Sequence, residues 1–143
     1  MSGKKIAIIY KSLTGNTRQV AEAIRDALGG EEIVYFGEPK PDIVADLYFV
    51  GSWTDKGSCD GTVGEYLKQL EGKKLAVFGT AGYGGSREYY QKLACRVTEC
   101  VPDTSEVLGS FYCHLCFSFF IFYGDAEMRF YDTYIIMTRL QTE

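Results

Sequence analysis

The sequence has few of the features that mark exported, nucleic-acid-binding or membrane-spanning chains. Its 143 residues include one histidine and three prolines, and the net charge is −4 with no block of basic residues. A basic patch is the electrostatic mark of a nucleic-acid-binding protein, so we expect no nucleic acid partner. A net negative charge suits docking to a basic protein instead.

The five cysteines do not follow the pattern of a disulfide framework. Their number is odd, and the apolar run at residues 6–10 is too short for the core of a signal peptide. We therefore expect reduced thiols and a cytoplasmic location. Cys113 and Cys116 form a Cys-x-x-Cys pair, but a second pair of ligands is missing. The sequence predicts buried structural cysteines there and no metal site.

Long apolar stretches are also scarce. The charge-free segment at residues 107–124 barely reaches spanning length and contains glycine, serine and histidine. A membrane-spanning helix needs about 20 mostly apolar residues. A buried strand with its continuation is the better interpretation, and we expect no membrane partner.

What the sequence does contain is an alternation of short apolar runs and amphipathic segments, within one domain over residues 1–143. This pattern is typical of a parallel sheet with right-handed helical crossovers. The predicted strands are 5–10, 33–36, 46–50, 75–78 and 107–112. Three helices are predicted. The first ends at Gly29 and Gly30, the second begins with a capping box at Thr62 and Glu65 and ends at Gly72, and the third spans residues 86–97.

Three unusual loops follow predicted strands, at residues 11–17, 52–61 and 80–85. Parallel sheets bind ligands outside the carboxyl ends of their strands, so we expect these loops to converge on one edge. The first loop offers four side-chain donors and a glycine before a helix N-terminus, which favours a phosphate. An ordinary helix cap by Thr14 or Asn16 is the alternative. The loop reads Ser12-Leu13-Thr14-Gly15-Asn16-Thr17.

The pattern S-x-T-G-N-T after a first strand resembles the FMN phosphate loop of the flavodoxins, and the resemblance covers roughly residues 4–112. It implies a doubly wound α/β fold with a parallel five-stranded sheet in the order 2-1-3-4-5 and FMN at the switch point. The FMN-binding residues that it implies are Ser12, Leu13, Thr14, Gly15, Asn16, Thr17, Ser52, Trp53, Thr54, Lys56, Gly57, Thr80, Ala81, Gly82, Tyr83 and Gly84.

Two aromatic side chains resemble those that enclose the flavin ring in this family. Trp53 is the only tryptophan, and its polar loop neighbours favour a ring wall over the alternative of a core residue. Tyr83 stands between glycines and resembles the second stacking aromatic, with an exposed tyrosine as the alternative. The backbone from Thr80 to Gly82 would donate hydrogen bonds to the ring edge.

One departure from the family bears on the redox potential. Lys56 puts a cation where flavodoxins are often acidic, and a cation stabilises the anionic reduced ring. We expect a site less reducing than that of a typical flavodoxin. The substitution Lys56→Gln should then lower the potential of the reduced flavin, which a redox titration measures.

The tail at residues 113–143 is the second departure, since positions 111–143 carry ten aromatic residues. Three interpretations stay open: a variant closing helix, an interface with a second copy or a partner, and an aberrant C-terminus.

The resemblance implies an FMN-binding electron-transfer protein that shuttles electrons between partner redox proteins, with no catalytic side chains of its own. An FMN-dependent reductase acting directly on a small quinone-like substrate is one alternative. A flavin-free binding module with the same fold is the other.

Overall fold

The computed structural model describes residues 5–13, 15–28, 32–55, 58–81 and 87–114, which alternate between strands and helices. The strands are β1 (Lys5–Lys11), β2 (Glu32–Gly37), β3 (Leu47–Asp55), β4 (Ser58–Cys59), β5 (Lys74–Ala81) and β6 (Glu106–His114). The helices are α1 (Asn16–Ala27), α2 (Gly61–Lys68) and α3 (Arg87–Thr98).

The long strands form one parallel sheet in the order β2-β1-β3-β5-β6. Counted without β4, this is the predicted order 2-1-3-4-5, and the predicted fold class is confirmed. Strand β4 is an additional short strand that the sequence does not predict, and it pairs antiparallel with the end of β3. The middle of each central strand is almost continuously apolar, because the core layers on both faces of the sheet cover it.

Two apolar layers, one on each face of the sheet, form the core. In β1, Ile6 and Ile8 pack toward α1, while Ala7 and Ile9 pack on the opposite face with α2 and α3. The strand alternation produces this division, because successive side chains point to opposite faces. Helices on both faces of a parallel sheet make the fold doubly wound.

The start of α2 corrects one prediction. The helix begins after Asp60, whose carboxylate accepts a hydrogen bond from the Thr62 backbone N–H at 2.9 Å. The predicted capping box at Thr62 and Glu65 is therefore wrong. An aspartate is at least as good an N-cap as a threonine, and Asp60 directly follows β4.

The charge-free segment begins as a strand, because residues 107–114 belong to β6 and pair with β5. Among the helices of the described residues, none is both long enough and apolar enough to cross a bilayer. Cys116 and the remainder of the tail, residues 115–143, lie outside the described part of the chain.

Candidate functional site

The carboxyl ends of three neighbouring strands bring the described parts of the predicted loops to one edge of the sheet. Lys11 at the end of β1 pairs with Ser52 of β3. Trp53, the next residue of β3, pairs with Thr80 of β5. Strands β3 and β5 run further than predicted, so Ser52, Trp53, Thr54, Thr80 and Ala81 are strand residues.

The loop between β1 and α1 is organised around the Ser12 hydroxyl. Its oxygen accepts a hydrogen bond from the Gly15 N–H at 2.9 Å and a longer one from the Arg18 N–H at 3.4 Å. Gly15 has a φ of 97°, a left-handed conformation in which a side chain would be strained. The hydroxyl proton of Ser12 remains available to donate to an acceptor in the loop.

The N-terminus of α1 presents unpaired backbone donors to the same loop. The cap residue, Gly15, supplies no side-chain hydrogen bond to the helix. Within the described residues, the N–H groups of Asn16 and Thr17 have no hydrogen-bond acceptor. A helix N-terminus with free N–H groups attracts an anion through the helix dipole. In the described part of the chain, α1 begins without a side-chain cap.

A buried hydroxyl pair joins this helix to the third strand of the site. The Oγ1 atoms of Thr17 and Thr80 are 2.9 Å apart, and each residue is 1% exposed. The bond connects the first turn of α1 to the carboxyl end of β5 across the sheet face. It links the helix that follows the first predicted loop to the strand that precedes the third.

Trp53 lies on the α1 side of the sheet and is only half-buried. The alternation along β3 sets this side, since Leu47 and Phe49 belong to the core under α1. Trp53 is absent from the buried core that the described residues form, which argues against its alternative role as a core residue. Its position beside Thr80 puts Trp53 at the edge of the sheet where the loop between β1 and α1 lies.

A short hairpin after Trp53 is anchored at two points. The Thr54 hydroxyl donates to the Thr80 carbonyl at 2.7 Å, and the Ser52 hydroxyl accepts from the Asp60 N–H at 2.8 Å. The return strand β4 pairs with β3, with Cys59 opposite Thr54. The hairpin therefore holds the backbone on both sides of Trp53.

Cys59, at the end of the hairpin, faces Cys100 beyond the end of α3. Burial raises the pKa of the Cys59 thiol to about 11, and the neighbouring Cys100 adds to the rise. A thiol with so high a pKa is a poor nucleophile at neutral pH. In the described residues, no group of three or more histidine, cysteine, aspartate or glutamate side chains could hold a metal ion.

Several contacts at this edge were not predicted from the sequence. The Thr17–Thr80 bond joins residues that are far apart in the chain, so no local pattern reveals it. The sequence predicts a polar loop at residues 52–61, whereas Thr54 pairs with Cys59 in a short hairpin. Asp60, a good N-cap residue just before Gly61, is the sequence feature that marks the start of α2. The predicted site residues that lie outside the described part of the chain are Thr14, Lys56, Gly57, Gly82, Tyr83 and Gly84.

Comparison with known families identifies similarity over most of the chain. The model of the flavodoxin domain matches residues 7–116. A flavodoxin-like domain-containing protein, BilS of Clostridioides difficile, is 34% identical over 116 residues, which is 76% of this chain. The chain spans 65% of the length of that relative.

Solved structures share the fold at low sequence identity. Oxidised flavodoxin 2 from Bacillus cereus superposes with a TM-score of 0.64 at 21% identity, covering 95% of this chain and 99% of the other. A flavoprotein from Lactobacillus acidophilus, solved in complex with FMN, gives a TM-score of 0.57 at 20% identity. That comparison covers 77% of this chain and 93% of the flavoprotein.

Proposed function

The chain belongs to the flavodoxin family, and from this we propose that it binds FMN and carries electrons between redox partner proteins. The observation that carries the proposal is the meeting of two features at one sheet edge. One is the N-terminus of α1 with its unpaired N–H groups, and the other is the half-buried ring of Trp53. An anion site beside an aromatic wall matches a ligand with a terminal phosphate and a flat ring.

The phosphate would be held by neutral donors. The N–H groups of Asn16 and Thr17 and the hydroxyl of Ser12 belong to the same loop and helix start. All three would donate hydrogen bonds to the phosphate oxygens. Arg18, in the first turn of α1, forms an ion pair with Glu22 at 3.2 Å. The loop would therefore neutralise a phosphate mainly through the helix dipole and hydrogen bonds.

The ring would lie against Trp53, and the β3–β4 hairpin would keep that side chain in position. Ser52 and Thr54 fix the hairpin through the Asp60 N–H and the Thr80 carbonyl. Bound FMN supplies the chemistry of accepting and donating electrons, while the protein sets access and potential.

The first test is the visible absorption spectrum of the purified chain, with the released cofactor identified by mass. We expect a flavin spectrum and the mass of FMN. A colourless chain that also fails to take up added FMN would contradict the proposal and favour a flavin-free binding module. Steady oxidation of a reduced nicotinamide with a quinone and no partner protein would contradict the carrier role and favour a reductase.

Replacing Trp53 tests the ring wall directly. Stacking on an aromatic side chain contributes about 1–3 kcal/mol, so Trp53→Ala should weaken FMN binding about tenfold to a hundredfold. A fluorescence titration of the flavin-free chain measures the dissociation constant. Trp53→Phe is the matched control and should retain most of the affinity. Equal affinities in all three chains would remove Trp53 from the site.

A further inference from the structure

Two thiols from distant parts of the chain lie together over helix α2. A Cβ atom at Gly64 would lie 3.6 Å from the Cys59 sulfur and 3.7 Å from the Cys100 sulfur. Both residues are half-buried free thiols, and Cys100 is close enough to contribute to the raised pKa of Cys59. A methyl group at Gly64 would make ordinary van der Waals contact with both sulfurs, so both lie beside the same point of α2.

The backbone holds both cysteines in defined positions. Cys59 pairs with Thr54 in the β3–β4 hairpin, and the Cys100 N–H donates to the Val97 carbonyl at 3.1 Å. Strand β4, which carries Cys59, packs against helix α3, which ends two residues before Cys100. A disulfide between such positions closes a long loop without requiring the elements to move into contact.

We propose that Cys59 and Cys100 form a redox-active thiol pair, which a low-molecular-weight disulfide converts to an intramolecular Cys59–Cys100 disulfide. This bond would tie the hairpin after Trp53 to the end of α3. A site for a soft metal is the less favoured use of two thiols, because no third ligand is available among the described residues.

The reaction proceeds by two thiol–disulfide exchanges. The Cys100 thiolate attacks one sulfur of the small disulfide, forms a mixed disulfide and releases the first small thiolate. Cys59 then loses its proton to solvent and attacks the Cys100 sulfur, which releases the second small thiolate. The two protein thiols are oxidised by two electrons in total, and the small disulfide is reduced to two thiols.

The properties of Cys59 set the order of these steps. Its thiol stays protonated at neutral pH because burial raises its pKa to about 11, so Cys59 acts second, on the mixed disulfide that Cys100 forms. We expect the formation of the disulfide to accelerate as the pH rises through the alkaline range.

The bond would also affect the proposed site, and this consequence rests on the proposed function. Cys59 lies opposite Thr54, the residue after Trp53. A bond from Cys59 to the end of α3 would restrict the hairpin that positions the indole ring. We expect FMN to dissociate more slowly from the oxidised chain than from the reduced chain.

Peptide mapping of the full chain tests the pair without any substitution. The chain is incubated with oxidised glutathione, the remaining thiols are alkylated, and the product is cleaved after glutamate without reduction. Cleavage at Glu99 and Glu106 isolates Cys100 from the other cysteines, and cleavage at Glu32 and Glu65 isolates Cys59, since Pro39 protects the bond after Glu38. We expect a linked pair of peptides, 33–65 with 100–106, that reductant separates.

Variants and a flavin measurement complete the test. Cys59→Ser and Cys100→Ser should each abolish the linked peptides, whereas Cys95→Ser, at an exposed thiol of α3, should leave them unchanged. Absence of the linked peptides from the unsubstituted chain would overturn the proposal. Linked peptides with an unchanged rate of FMN release would overturn the effect on the site. If the chain binds no FMN, the proposed function fails, and the peptide map still decides whether the thiol pair forms.

Discussion

At the scale of single residues, the site depends on side chains that hold backbone rather than on side chains that react. Ser12 accepts from two N–H groups of the first loop, and Thr54 fixes the hairpin to the Thr80 carbonyl. Such bonds contribute to the free energy of unfolding and position the groups that would contact a ligand.

The contribution of the Thr17–Thr80 hydrogen bond to the free energy of unfolding can be tested by substitution. Both hydroxyls are buried, so Thr17→Val leaves the Thr80 hydroxyl without its partner, and Thr80→Val does the reverse. Each substitution should lower the free energy of unfolding by about 1–3 kcal/mol. The double variant should lose less than the sum of the two, because it buries no unpaired hydroxyl. Urea unfolding of the flavin-free chains measures all four values, and strictly additive losses would contradict this account.

At the scale of elements, the close approach of β3 and β5 determines where the site can lie. Gly51 of β3 pairs with Phe78 of β5, and a Cβ atom at Gly51 would lie 2.1 Å from the Phe78 ring. The ring occupies the space over Gly51, two residues before Trp53. The absence of a side chain at Gly51 therefore lets the strands stay paired up to the site.

We expect Gly51→Ala to force the Phe78 ring or strand β3 to shift, at a cost of about 1–3 kcal/mol in unfolding free energy. Gly61→Ala is the matched control, because a Cβ atom there meets no atom within 4 Å. It lies in helix α2, where alanine is favoured over glycine, so it should be neutral or slightly stabilising. Thermal unfolding compares the two variants. Equal melting temperatures would show that the ring moves without cost.

Helix α2 makes the packing of this face sensitive to alkaline pH. Tyr66 is buried against the sheet, and burial raises its pKa to about 12, with smaller contributions from Tyr48 and Tyr35. Its ordinary pKa is 10.0, so between these values the unfolded chain has lost the proton that the folded chain keeps. The unfolding free energy therefore falls as the pH rises from 10 toward 12.

Tyr66→Phe removes the phenol group whose ionisation contributes to this decrease in the unfolding free energy. Urea unfolding with reductant present, at pH 9 and at pH 11, should show a smaller difference in unfolding free energy for Tyr66→Phe than for the unsubstituted chain. Parallel losses in the two chains would assign the alkaline sensitivity to other groups, Cys59 among them.

At the scale of the whole molecule, the net charge of −4 would affect the encounter with the redox partner that we propose. Opposite charges accelerate association, and salt screens that attraction. With cytochrome c as a basic model acceptor, the second-order rate of electron transfer from the reduced chain should fall about tenfold from low to high salt. Ferricyanide is an anion, so its rate should rise with salt. Stopped-flow absorbance measures both, and a salt-independent rate with cytochrome c would contradict steering by the net charge.

The alternation of apolar runs and amphipathic segments was sufficient to predict a parallel sheet and the edge that carries the candidate site, and the resemblance to the flavodoxins implied the strand order. Buried parallel strands such as β1 are almost continuously apolar, and this signal is strong. Strand β4 has only two residues, which is too short for a periodic pattern. The start of α2 is ambiguous in the sequence, because Asp60 fits an N-cap and Thr62 with Glu65 fits a capping box. The Thr17–Thr80 and Cys59–Cys100 contacts depend on tertiary packing. The family match ends at residue 116, close to where the composition of the tail changes.

The order of the strands also affects which part of the molecule opens first. β2 and β6 are the outer strands of the described sheet, whereas β1, β3 and β5 each have a hydrogen-bonded neighbour on both sides. Fraying begins at outer strands, where fewer bonds must break. The strands that carry the candidate site are therefore the slowest to exchange their amide hydrogens. The edge where they end should keep its shape through the small openings of the sheet and lose it only in global unfolding.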